Sequence, residues 1–100
     1  TDKTEKKKKY KYGLMEIKKD SELVSKTYRE ANIPQKTHLV VIGYSSRMIS
    51  EDKFVRSDLQ VNPTADHIIN LGDNLLVFGE DHQISELRKI ANDILYEEQH

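Results

Sequence analysis

Four histidines and several carboxylates are the side chains of this 100-residue chain that could bind a metal or transfer a proton. Two of the histidines, His67 and His82, each directly follow an aspartate. Neighbouring residues point in different directions on a strand or a helix, so neither pair is arranged to hold one metal ion. No two histidines are four residues apart, and the chain has no cysteine. We therefore expect no metal site, and histidines that lie at the surface or at an interface.

The segment GYSSR at positions 43–47 is the nearest approach to a nucleophile motif. It fails as a G-x-S-x-G elbow, because Arg47 stands where the last glycine is required. The chain has neither a P-loop pattern nor G-x-G-x-x-G. Since no nucleophile, base and orienting group come together, we expect that the protein is not an enzyme and needs no cofactor.

The charge of the chain is unevenly distributed. Residues 1–12 hold six lysines and two acidic residues, whereas the whole chain carries −1, so the remainder carries about −5. A domain that binds a polyanion usually has basic residues over its folded part. The run KKKKYK at 6–11 therefore has three interpretations: a solvated linker, a juxtamembrane segment that attracts anionic lipid, or a nucleic-acid contact. We expect no nucleic-acid partner.

The length of the chain suits one domain with a modest core, which association between subunits could stabilise further. No apolar run reaches the roughly 18–20 residues that span a bilayer. The absence of cysteine fits a reducing compartment. We predict a disordered basic linker over residues 1–11 and a folded domain over residues 12–97.

Hydrophobic patterning predicts an alternation of strands and helices. Apolar segments at 10–18, 38–44 and 74–79 predict strands. Spacings of three and four predict a short helix over Leu23–Ala31, which Ser21 or Ser25 would cap and which Pro34 would prevent from continuing.

The second half of the chain is patterned weakly until its last helix. Ser45-Ser46 predicts a turn, Arg47–Ser50 the returning strand of a hairpin, and 59–61 a short strand that ends at Pro63. Asp81 is the predicted N-cap of an amphipathic helix. Its apolar face comprises Ile84, Leu87, Ile90, Ala91, Ile94 and Leu95. The order predicts a small α+β domain with a mixed or antiparallel sheet, a short helix after the first strand and a C-terminal helix.

Five motifs together resemble the RCK C-terminal domain, also called TrkA-C. They are GLMEI, S-x-L-V-x-K-T, HLVVIGY, P-x-x-D and LGDNLLVFGE with the helix ISELRKIA, and the resemblance covers about residues 12–95. The Gly72-Asp73 turn with the LLVFGE ending is the most specific of them. Ser25 replaces a glycine that is usual in the second motif, and the segment between Met48 and Pro63 is longer than usual.

The resemblance implies a regulatory domain that forms homodimers. Such domains occur in potassium channels, potassium transport regulators and other bacterial membrane transporters, and also fused to DNA-binding domains. Several bind cyclic di-AMP in a cleft at the dimer interface. The ligand-binding residues implied for this chain are Ile33, Pro34, Gln35, Lys36, His38, Val40 and Pro63, with His67 nearby.

Our leading hypothesis is a cytoplasmic ligand-sensing domain of an inner-membrane transporter or potassium channel. The membrane body would precede it in the same chain, and a small nucleotide such as cyclic di-AMP would bind to its homodimer. Two alternatives stay open: a dimerisation module without a ligand, and a sensor fused to a DNA-binding regulator.

Overall fold

A four-stranded antiparallel sheet with its helices on one face forms the body of the domain. The computed structural model describes residues 7–94. The strand order is β1-β6-β2-β5, and β3 and β4 form a separate two-stranded ribbon. The elements are β1 (Tyr10–Glu16), α1 (Tyr28–Ala31), α2 (Ile33–Thr37), β2 (Val40–Ser45), β3 (Arg47–Ser50), β4 (Lys53–Arg56), β5 (Gln60–Val61), β6 (Asn74–Glu80) and α3 (Asp81–Ile90). The predicted α+β class is confirmed.

Strand β6 is central because it pairs with both β1 and β2. Its side chains alternate between the two faces, as the strand period of two requires. Leu75 and Val77 point to the inner face, where they join Met15 and the buried side of α3. Strand β1 begins at Tyr10, so Tyr10 and Lys11 of the segment predicted as a linker belong to the sheet. Residues 1–6 of that segment lie outside the described residues.

The last helix begins one residue earlier than its predicted cap implies. Glu80 is the N-cap, and its backbone N–H donates to Gln83 Oε1 at 2.8 Å. Asp81 instead forms an ion pair with Lys11 at 2.5 Å, which holds the pKa of that carboxyl below its usual range. The helix ends at Ile90, so Ile94 lies beyond it and is 40% exposed. Leu95 lies outside the described residues.

The first predicted helix is mostly replaced by turns. Residues 22–25 form turns, and the helical stretch is only Tyr28–Ala31. Ser25 has a φ of 69°, a left-handed conformation that stops a helix and that glycine adopts most readily. Thr27, and neither Ser21 nor Ser25, is the cap: its Oγ1 accepts from Glu30 N at 3.1 Å. The backbone N–H of Thr27 in turn lowers the pKa of Glu30.

Pro34 begins a helix instead of stopping one. Asn32 adopts a left-handed conformation between α1 and α2, and Pro34 lies in the first turn of α2, where a missing N–H costs nothing. His38, predicted as the first residue of a strand, is the left-handed C-cap of α2 with a φ of 62°. The strand therefore begins at Val40.

The ribbon pairs differently from the predicted hairpin. Strand β3 pairs with β4 across a two-residue turn, Glu51-Asp52, and β2 pairs with β5. Both turn residues have positive φ, which matches the right-handed twist of the ribbon.

Within residues 7–94, no helix is long and apolar enough to cross a membrane.

The Gly72-Asp73 turn ties the loop before β6 to the sheet. Gly72 has a φ of +86°, which favours glycine. Asp73 is buried, and its carboxylate accepts a hydrogen bond from Asn70 N at 3.0 Å. The carbonyl of Asp73 accepts from Ile17 N at 2.8 Å. This turn therefore fixes where β6 starts relative to β1.

Candidate ligand-binding groove

A groove of about 460 Å³ lies between the two short helices and the edge of the sheet that β2 and β5 form. Its lining is mainly apolar, as is usual for small-molecule sites. The residues that line it are Tyr28, Arg29, Ile33, Pro34, Leu39, Val40, Val41, Asn62, Pro63 and Ala65.

The floor of the groove depends on a close approach of two backbones. Strand β2 has an irregular register between Val41 and Gly43. A Cβ atom on Gly43 would lie 2.4 Å from the carbonyl oxygen of Gln60, closer than atoms can pack. Glycine thus lets β5 lie against β2, and the next residues, Asn62 and Pro63, reach the groove. The backbone N–H of Asn62 fixes this geometry by donating to Ile42 O at 2.8 Å.

Arg29 supplies the positive charge of the groove. Of the described residues that line it, Arg29 alone is charged. Its guanidinium forms an exposed ion pair with Asp66, and its backbone N–H donates to Ala65 O at 2.9 Å. Arg29 therefore holds the loop that follows Pro63 through both its backbone and its side chain.

Three aromatic rings pack beside the groove and support it. The ring of His67 stacks on that of Tyr44 with centroids 4.3 Å apart, and Tyr28 lies about 6 Å from both. The hydroxyl of Tyr44 lies 3.3 Å from His67 Nδ1. Burial, and then the charge of Asp73, raises the pKa of Tyr28 well above its usual value. Tyr28 therefore keeps its proton at any ordinary pH.

The structure brings together half of the ligand-binding residues that the resemblance implies. Ile33, Pro34, Val40 and Pro63 line the groove. The other four lie outside its lining. Gln35 and Lys36 are exposed on α2, and Lys36 Nζ lies 3.4 Å from Glu22 Oε2.

The two implied histidines occupy separate positions. His38 lines a second hollow, of about 280 Å³, together with Val40, Phe78 and Gly79. His67 belongs to the aromatic stack. Sequence reasoning missed Arg29 and Asn62. Asn62 directly precedes Pro63, and that adjacency was a usable signal. The sequence carried no such signal for Arg29, because the helix that holds it was predicted to start at Leu23 and starts at Tyr28.

The face of the sheet opposite the helices is apolar and open, and we call it the outer sheet face. Paired residues of an antiparallel sheet share a face, so Tyr12 lies beside Phe78, and Phe78 beside Val40. Its other apolar members are Tyr10, Leu14, Leu76 and Val61. Tyr12, Leu14, Val40 and Val61 are each more than half exposed. Val40 belongs to both this face and the groove.

The fold and the groove define a small α+β domain with an apolar groove and an unpaired apolar sheet face. The chain belongs to the TrkA-C domain family, whose model matches residues 14–92. A comparison with the sequences of curated proteins gives no match.

Solved structures with this fold include three of BusR from S. agalactiae. The first, an RCK_C domain dimer in complex with c-di-AMP, has a TM-score of 0.61 and 21% identity, and the match covers 81% of this chain and 95% of that one. The others are BusR with its busAB-promoter DNA and with its busA-promoter DNA, also at a TM-score of 0.61 and 21% identity. The matches cover 81% and 92% of this chain but only 35% and 42% of those chains. At this identity the likeness shows the fold.

The expectation that excluded nucleic acid is wrong. Two of the similar structures are complexes with promoter DNA, so this fold is part of proteins that bind DNA. The expectation rested on the acidic charge of the folded part. A domain with net negative charge can regulate DNA binding when another part of the chain makes the contact.

Proposed function

We propose that this domain is a regulatory sensor that binds cyclic di-AMP as a homodimer. The observation that carries the proposal is the position of Val40, which lines the apolar groove and also lies on the outer sheet face. A ligand in the groove would therefore sit at the edge of any dimer that this face forms. A protein of the same fold, the RCK_C domain dimer of BusR, is in complex with c-di-AMP, which supports this choice of ligand and a dimer.

The lining of the groove fits one half of such a ligand. An adenine base needs an apolar wall, which Ile33, Pro34 and Pro63 supply. A phosphodiester needs a cationic donor, and Arg29, whose exposed guanidinium pairs with Asp66, lines the groove. Asn62 adds an amide that can read the polar edge of a base. Two grooves related by a two-fold axis would hold the two identical halves of the ligand.

The outer sheet face is the surface that we assign to dimerisation. Exposed apolar patches of this kind mark association surfaces in soluble domains. The row Tyr12–Phe78–Val40 crosses three neighbouring strands, and the ring of Phe78 contacts that of Tyr12 at a centroid distance of 5.0 Å. Packing two such faces about a two-fold axis would remove this row from water in both copies.

The output of binding would be a change in the relative orientation of the two subunits. A ligand shifts such an equilibrium only by its difference in affinity for the two orientations. Because the proposed ligand contacts both copies, it favours the orientation that brings the two grooves together. Attached domains would follow that movement.

Two kinds of attached domain fit this output. The family resemblance favours a membrane transporter or potassium channel, with this domain in the cytoplasm. The BusR complexes with promoter DNA favour a DNA-binding regulator. Cell fractionation and promoter-DNA binding of the full-length protein would separate the two: a transporter stays with the membrane, whereas a regulator shifts DNA in a ligand-dependent manner.

The direct test is isothermal titration of the purified chain with cyclic di-AMP, with ATP and linear dinucleotides as controls. We expect micromolar or tighter binding at one ligand per two chains. Binding at one ligand per chain would contradict a site shared by two subunits. No heat with any nucleotide would contradict the sensor and leave a dimerisation module.

Arg29 provides a sharper test of the groove. We expect R29Q to weaken cyclic di-AMP binding about tenfold, because a charge-assisted contact to a phosphate is lost. The matched control is K36Q, which removes a positive charge from an exposed neighbouring helix but not from the groove. Both variants are titrated with cyclic di-AMP. Equal losses of affinity would indicate general electrostatic attraction, and a loss in K36Q alone would indicate that α2 contacts the phosphate.

A further inference from the structure

The β3–β4 ribbon is an apolar surface that the proposed sensor does not use. All eight of its strand residues are exposed. Ile49 and Phe54 face each other across the ribbon and are 72% and 70% exposed. Met48 and Val55 form a second apolar pair on the opposite side. A two-stranded ribbon is marginally stable by itself, and three or more strands are normally needed.

The base of the ribbon is firmly held, so its direction is fixed. Ser46 and Ser57 close it with two hydrogen bonds of 2.8 Å, from Ser46 N to Ser57 Oγ and from Ser57 N to Ser46 O. Arg56 Nη1 donates to Gly72 O at 2.7 Å. Arg47 lies over the ring of Phe54, 5.1 Å from its centroid. A surface held in this way presents its edge without a large loss of entropy.

We propose that the ribbon is a second self-association site, in which the β3 edges of two copies pair as antiparallel strands. In a two-residue hairpin the closing pair, Ser50 and Lys53, is hydrogen-bonded. The ladder then alternates, so the N–H and C=O groups of Ile49 point away from β4 toward the open edge. A two-fold axis through this point places Ile49 opposite Ile49 of the second copy.

The sequence of β3 is complementary to itself in that register. The same axis brings Arg47 near Glu51 of the second copy, in the turn that follows β3, so opposite charges approach each other at both ends. One apolar row then crosses four strands. It contains Phe54 and Ile49 of one copy, followed by Ile49 and Phe54 of the second copy. The β4 edge is a poorer choice: bringing Asp52 to Arg56 of another copy would compete with the bonds of Arg56 to Ser45 O and Gly72 O.

This interface is separate from the outer sheet face, because β3 and β4 form a sheet of their own and are not strands of the main sheet. Two different two-fold interfaces on one chain build a closed tetramer where their axes cross at a right angle, which is the arrangement we propose. This step rests on the proposed dimer, but pairing of the ribbons does not: if the outer sheet face were not an interface, the ribbons would still form a dimer. The two interfaces can therefore be tested one at a time.

The experiment is light scattering after size-exclusion chromatography over a range of concentrations. The wild-type chain should approach about four times its mass of 11.7 kDa. We expect I49K to raise the dimer–tetramer dissociation constant about tenfold or more, because like charges then meet at the axis. Cyclic di-AMP binding should be unchanged. V55K places the same charge on the other side of the ribbon and should leave the tetramer intact.

A charge exchange provides the decisive variant. R47E should weaken the tetramer, and R47E combined with E51R should restore it, because each chain then again meets an opposite charge. A chain carrying F78E, which blocks the outer sheet face, would overturn the proposal if it stayed at the single chain mass at every concentration. So would equal effects of I49K and V55K, or a double charge exchange that fails to restore association.

Discussion

Replacing Phe78 with glutamate is expected to abolish association through the outer sheet face and to weaken cyclic di-AMP binding by about 30-fold or more, the loss typical of a central interface residue. Phe78 lies at the middle of the apolar row, between Tyr12 and Val40. A carboxylate there would have to lose its water in the dimer without an opposite charge to pair with. The ligand loses affinity because its second groove is no longer held in place.

The measurement is best made in the I49K background, where pairing of the ribbons cannot hold two copies together. F78E should then elute as a monomer by light scattering and release little heat with cyclic di-AMP. I94E is the matched control, because Ile94 is also an exposed apolar residue but lies near Lys18 and Asp20, away from this face. A dimer that persists in F78E would contradict the assignment of the interface. Monomers with full ligand affinity would contradict a site shared by two subunits.

Replacing Gly43 with alanine is expected to damage the groove without touching any residue that lines it. The new Cβ would lie 2.4 Å from the carbonyl oxygen of Gln60 and 3.0 Å from Val61 Cα, and a backbone cannot give way as a side chain can. Strand β5 must move, and Asn62 and Pro63 move with it. Overpacking of this kind costs about 1–3 kcal/mol, which corresponds to a fall in Tm of about 4–8 °C per kcal/mol in a domain of this size.

The control separates loss of stability from loss of the groove. In G13A the new Cβ would lie 2.8 Å from Ile84 Cγ2, at the end of a side chain that can rotate away, on a strand that does not line the groove. Both variants should melt earlier by scanning calorimetry. At 25 °C, with both folded, G43A should bind cyclic di-AMP about tenfold more weakly, as the displaced wall no longer contacts the base, and G13A should bind normally. Normal binding by G43A would show that β5 does not form the site.

The sequence alone was sufficient for the elements whose pattern is local. The apolar run at positions 74–79 predicts a strand, and the spacing from Ile84 to Ile90 predicts an amphipathic helix, and both are present. The Gly72-Asp73 turn with the following strand also led to the correct family. These signals are read within one segment, so no knowledge of the partner strand is needed.

Conformations that depend on single residues were less accessible. Ser25 and His38 both have positive φ, which side chains other than glycine rarely adopt, and each shifts the boundary of a helix or a strand. The surrounding packing holds these residues in place. A propensity argument therefore extends the helix through Ser25 and the strand through His38, and it places Pro34 after a helix instead of at the start of one.

The tertiary structure alone decided which side chains meet in the groove. The resemblance implied four residues that line the groove: Ile33, Pro34, Val40 and Pro63. Only the fold shows that they share one cavity with Arg29, and that Lys36 and His38 lie outside it. The pairing of β3 with β4, and of β2 with β5, was equally hidden. Register and strand partners are fixed by contacts between segments far apart in the chain, such as the approach of Gln60 to Gly43. Local patterns carry no record of those contacts.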